Sequence, residues 1–143
     1  MPDEIFTVTS AAEMQSLGEQ IGKRLQAGAV VLLHGELGAG KTTFTQGVGR
    51  ALGIAEITSP TFVIAKIYPS ATPLVHVDAY RLIGSAFASF DDLDLESRIP
   101  TSITLIEWGS GFIERLVEKF IEIDIDFGSE PDERTVTIRN LER

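Results

Sequence analysis

The chain of 143 residues contains no cysteine. A disulfide framework and a thiolate metal site are both excluded. No apolar run approaches the length of a membrane span, and Met1 to Ser10 carries neither a basic segment nor an apolar one. No secretory leader and no membrane association are expected, and the chain reads as cytoplasmic. Basic residues are scarce. Twelve Lys and Arg stand against 21 Asp and Glu, for a net charge of −9. That is the wrong sign for gripping a polyphosphate backbone over a wide face. Extensive direct nucleic-acid binding is therefore not expected, and any nucleic acid in the biology is assigned to a partner. No repeat or linker breaks the chain, so residues 1–143 read as a single domain.

What is present is concentrated in Ala29 to Gly47, AVVLLHGELGAGKTTFTQG. A strand-length apolar run, Val30 to Leu33, leads into Gly35-Glu36-Leu37-Gly38-Ala39-Gly40-Lys41-Thr42. This segment fits the Walker A pattern G-x-x-x-x-G-K-[ST]. Phe44, Val48 and Leu52 then recur every four residues, as on a helix. Strand, glycine loop and helix in that order are the context the pattern requires. The glycines let backbone amides converge on phosphate oxygens, and the helix N-terminus adds its positive end. Lys41 can reach the β and γ phosphates, Thr42 can offer its hydroxyl to Mg²⁺, and Thr43 can touch the α phosphate. The expected ligands are a nucleoside triphosphate and magnesium.

Such a loop needs a carboxylate at the end of a neighbouring apolar strand, to order the metal or activate water. Leu74 to Val77 ends at Asp78, and Ile103 to Ile106 ends at Glu107. Both acids are candidates: Glu107 as metal ligand and Walker B acid, Asp78 as water-orienting or metal-contacting group. Thr61, beside the rigid Ser59-Pro60, is placed to sense a γ phosphate from a switch-like loop. Arg81 can neutralise phosphate charge or meet a partner's acid. Trp108, the sole tryptophan, follows Glu107 toward the nucleotide. His34 and His76 have no metal-ligand spacing and read as strand residues near the active edge.

The rest of the chain supplies the frame. Ser10-Ala11-Ala12-Glu13 is a capping box, and Met14, Leu17, Ile21 and Leu25 extend a helix toward a stop at Gly28. The helix after the loop ends near Gly53. Phe62 to Tyr68 and Leu74 to Asp78 read as strands joined too tightly for a helical crossover, hence antiparallel. Gly84 to Pro100 is mixed, with Ala86 to Leu93 compatible with helix. Phe112, Ile113, Leu116 and Val117 suggest a short helix. Ile121 to Phe127 and the segment around Val136 and Ile138 form a hairpin, with Glu122, Asp124 and Asp126 as its solvated row. The result is an α/β fold on a mixed sheet.

The glycine loop through Phe44, then Ser59-Pro60-Thr61-Phe62, His76-Val77-Asp78-Ala79-Tyr80-Arg81-Leu82 and Ile106-Glu107-Trp108 together resemble the bacterial TsaE (YjeE) family of P-loop ATPases. The blocks stand in that family's order and span Gly35 to Trp108. The resemblance implies a three-layer P-loop NTPase-like fold with a mixed, mainly parallel central sheet and a C-terminal antiparallel hairpin. It implies ATP hydrolysis, weak or dependent on partners, that serves threonylcarbamoyladenosine formation on tRNA through the TsaB–TsaD complex. It implies ATP/ADP and Mg²⁺ as cofactors, Gly35 to Thr43 and Trp108 as nucleotide-binding residues, and Thr42 and Glu107 as metal ligands. It implies Thr61, Asp78 and Glu107 as the catalytic set. The main alternative is a small-molecule kinase of P-loop type, although no basic lid is visible. A GTPase lacks support because no Asn-Lys-x-Asp motif occurs.

Overall fold

Val30–Gly35 forms the middle strand of a seven-stranded sheet. The computed structural model describes residues 3–36, 38–55, 57, 65–78, 95–107 and 119–141. In chain order these give β1 (Glu4–Val8), α1 (Ala11–Arg24), β2 (Val30–Gly35), α2 (Lys41–Ala51), β3 (Ala65–Tyr68), β4 (Leu74–Asp78), the short α3 (Leu95–Arg98) with a 3₁₀ turn at Ile99–Thr101, β5 (Ile103–Glu107), β6 (Ile121–Phe127) and β7 (Arg134–Arg139). The sheet order is β1-β7-β6-β2-β5-β4-β3. β2 lies parallel to β5 and β6, and β4 lies parallel to β5. The β1–β7, β6–β7 and β3–β4 pairs are antiparallel. The expected mixed sheet, parallel through its central strands β6-β2-β5-β4, and the closing hairpin are both present.

Alternation along β2 shows why three layers form. Val31 and Leu33 join Met14, Leu17, Ile21, Phe44 and Val48 in one core cluster, so that face carries α1 and α2. Val30 and Leu32 point the other way and are equally buried. A parallel strand buried on both faces needs no polar alternation, and its sequence has none.

α1 and α2 meet at backbone distance. A Cβ on Gly18 would stand 2.1 Å from the Phe44 carbonyl oxygen, and one on Gly47 would stand 2.0 Å from the Gln15 oxygen. Glycine is a poor helix former, so its presence in both helices reflects this approach. The contact seats α1 on the helix that follows the glycine loop.

Several boundaries differ from the sequence expectation. The Ser10 hydroxyl does accept from the Glu13 amide at 3.1 Å. Glu13 bonds back to the amide and hydroxyl of Thr9 rather than to Ser10. α1 stops at Arg24, where Leu25 turns extended, and Gly28 (φ +97°) belongs to the following turn. Gly53 (φ +80°) does follow the end of α2. The acidic row is not simply solvated. Asp124 pairs with Arg139, and Glu122 lies 3.7 Å from His34. β1 has no counterpart in the sequence reading. It is an edge strand with Ile5 67 % exposed, held by pairing with β7. The described part of the expected Phe62–Tyr68 strand begins at Ala65. The helices expected at Ala86 to Leu93 and around Phe112 to Val117 lie outside the described residues.

Candidate functional site

The site sits at the carboxyl edge of the parallel strands, where β2 gives way to the glycine loop. Gly38 (φ +83°) and Gly40 (φ +109°) take left-handed backbone that other residues adopt only with strain. Gly40 is also the N-cap of α2. It has no side-chain oxygen to give the first-turn amides, which leaves that helix end suited to an external anion. The Phe44 amide donates to the Gly40 carbonyl at 2.9 Å and closes the first turn.

Lys41 opens α2 and is 8 % exposed. Its ammonium donates to the Gly35 carbonyl at 2.7 Å and lies 3.6 Å from Oε1 of Glu107. Glu107 ends β5 and is also buried. It stands in register with Leu33 of β2 on one side and Asp78 of β4 on the other. The two candidate acids therefore end adjacent parallel strands at the edge from which the loop departs, the usual position for ligands of open α/β sheets.

His76, one turn of the pleat before Asp78, is fully buried, and its Nε2 lies 2.6 Å from Oε2 of Glu107. A carboxylate only accepts, so Nε2 carries the hydrogen. Burial by itself raises the Glu107 pKa. The hydrogen bond and charge of His76, followed by the Lys41 ammonium, outweigh it and hold the carboxyl below its ordinary value. The residue at 107 is thus kept as an anion in a dry setting.

A cavity of about 200 Å³ opens beside the loop. Gly38, Ala39, Gly40 and Thr43 form one wall, Ser10, Ala11 and Met14 at the start of α1 form another, and Asp132 and Arg134 from the β6–β7 hairpin close it. Arg134 ties that hairpin to the loop: Nε donates to the Ala39 carbonyl at 3.2 Å, Nη1 donates to Pro131 at 2.7 Å, and the guanidinium lies 4.6 Å from the Phe127 ring centroid.

The sequence-assigned residues Gly35, Glu36, Gly38 to Thr43, Asp78 and Glu107 thus gather at one edge of the sheet. Leu37, Thr61, Arg81 and Trp108 lie outside the described residues. Sequence reasoning missed Ser10, Asp132 and Arg134 as cavity residues, and missed His76 as the partner of Glu107. Only the last left a local trace, a polar residue inside the apolar run Leu74 to Val77. Among the described residues no cluster of three or more His, Cys, Asp and Glu forms a metal cage. The donor set present, one ionised carboxylate and a threonine hydroxyl on α2, is of the hard-oxygen kind that Mg²⁺ takes alongside phosphates and water.

The family described as "Threonylcarbamoyl adenosine biosynthesis protein TsaE" matches residues 8–136. A tRNA threonylcarbamoyladenosine biosynthesis protein TsaE of Streptomyces coelicolor is 48 % identical over 135 residues, covering 90 % of both chains. One of Mycobacterium tuberculosis is 36 % identical over 140 residues, covering 92 % of this chain and 83 % of the relative. The crystal structure of Bacillus subtilis YdiB superposes with a TM-score of 0.78 at 32 % identity, over 96 % of this chain and 84 % of that one.

Proposed function

The chain belongs to the TsaE family, and on that premise we propose that it binds ATP with Mg²⁺ and hydrolyses it to ADP and phosphate, as an accessory to threonylcarbamoyladenosine modification of tRNA that acts on the TsaB–TsaD complex in the cytoplasm. The observation that carries the reading is the buried approach of Lys41 to Glu107 at the mouth of the glycine loop. A cation and an anion poised there match the two needs of a triphosphate site, a donor for phosphate oxygens and an acid for the metal side.

The loop amides and Lys41 grip the phosphates, and the Thr42 hydroxyl and Glu107 hold the metal. When bound, magnesium neutralises charge across the β and γ phosphates. Asp78, in register with Glu107, is the second acid for orienting water. Thr61 senses the γ phosphate. The cavity against Thr43 and the start of α1 takes the base, and Trp108 follows Glu107 beside the nucleotide. The net charge of −9 suits a protein that docks on a tRNA-handling complex rather than on tRNA.

The test is phosphate release from ATP by the purified chain, alone and with TsaB and TsaD, with Mg²⁺ and with EDTA. A Mg²⁺-dependent rate that rises with the partners is expected. Absence of nucleotide binding overturns the reading, and transfer of the phosphate to a small molecule replaces it with a kinase.

A further inference from the structure

His76 has no part in the proposed reaction, yet it is a fully buried polar side chain beside Glu107. It comes from β4, 31 residues before Glu107. Its register partner is Leu105, two residues before Glu107 on the same face of β5. The ring therefore starts one pleat deeper and reaches up to the carboxylate from below. Nε2 meets Oε2 at 2.6 Å, while Oε1 faces the Lys41 ammonium at 3.6 Å. Nδ1 is buried and has no hydrogen-bond partner among the described residues. A buried imidazole with one nitrogen unpaired costs stability, and an apolar side chain would fill this core position without that cost.

We propose that His76 is the positioning residue for the Glu107 carboxylate: its Nε2–H pins Oε2, so that the carboxylate has one orientation and presents Oε1 on the loop side. The inference rests on the ATPase reading and adds to it. A free carboxylate on a strand end rotates about its last two bonds. One held from behind offers a single oxygen in a fixed place, which is what an ordered metal and water demand. His76 touches neither nucleotide nor metal and acts only through Glu107.

Steady-state ATP hydrolysis in the presence of TsaB and TsaD, fluorescent-nucleotide affinity and thermal melting are measured for wild type, His76→Leu, His76→Gln and His76→Asn. Leucine removes the donor. The glutamine amide reaches about as far as Nε2, and the asparagine amide only about as far as Nδ1. The expected result is a kcat lowered about ten- to a hundredfold in His76→Leu, with nucleotide affinity within about threefold of wild type. His76→Gln recovers most of that loss and His76→Asn does not. Should His76→Leu fail to fold, the Gln–Asn contrast decides alone. Equal rates in Gln and Asn variants, or a loss of affinity that tracks melting temperature across the series, overturn the positioning role and leave His76 a packing residue. A wild-type chain without ATP turnover removes the ATPase reading itself, an outcome visible before any variant is compared.

Discussion

Lys41 and Glu107 bring opposite charges to 3.6 Å at the point where α2 begins and β5 ends, with each side chain less than a tenth exposed. In so dry a setting neither charge is well screened. Removing one leaves the other with less compensation.

Lys41→Ala takes away the positioned ammonium. ATP affinity is expected to fall about a hundredfold or more, measured by equilibrium titration with a fluorescent nucleotide. Wild-type affinity in this variant would show that the phosphates lie elsewhere.

Glu107→Gln keeps the shape and removes the charge. Hydrolysis should drop about a hundredfold or more, the usual scale for a positioned acid or base, while nucleotide still binds. A variant that hydrolyses at the wild-type rate would transfer the role to Asp78.

The depressed pKa of Glu107 also makes a prediction about stability. A carboxyl whose folded pKa lies below its ordinary value of 4.5 contributes stability that is fully present above 4.5. That contribution is lost as pH falls through the folded pKa, because the unfolded chain binds the proton first. The wild-type acid limb below pH 4.5 should therefore be steeper than that of Glu107→Gln. Urea unfolding followed by circular dichroism at stepped pH gives the comparison, and parallel limbs would remove Glu107 as a source.

Gly47→Ala tests the packing of α1 on α2. Helix propensity alone favours alanine by about 1 kcal/mol. The 2.0 Å approach of the new Cβ to the Gln15 oxygen forces the helices apart, and a net loss of about 1–3 kcal/mol is expected. Chemical denaturation reads the sign directly, and a stabilised variant would mean the helices separate freely.

Ala11→Trp fills the cavity between α1 and the loop. ATP affinity should fall about tenfold or more while inorganic triphosphate binds as before. Equal losses for both ligands would place the base outside the cavity.

The glycine loop was legible from the chain because its requirements are local. Gly38 and Gly40 need left-handed backbone, Lys41 must follow them, and the apolar runs on either side announce strand and helix by their spacing. The same holds for the antiparallel β3–β4 pair, where a five-residue link with two prolines leaves no room for a crossover, and for the β6–β7 hairpin. Asp78 and Glu107 could each be placed at a strand end.

Other features depended on which strands became neighbours. Glu4–Val8 is too short and too exposed to declare itself, and it is a strand because β7 offers an edge. The glycines of α1 and α2 look like helix defects until the two backbones meet. His76 reads as a stray polar residue in an apolar run until the parallel register of β4 and β5 brings it under Glu107. Ser10 is far in sequence from Asp132 and Arg134, and they share a cavity only once the hairpin closes over the loop. The sequence by itself determined the glycine loop and the strand and helix that flank it, because backbone conformation and hydrophobic period are written within a few residues. Only the tertiary structure decided which groups meet Glu107 and wall the cavity, because those contacts are made by sheet order and register, which join residues that no local pattern connects.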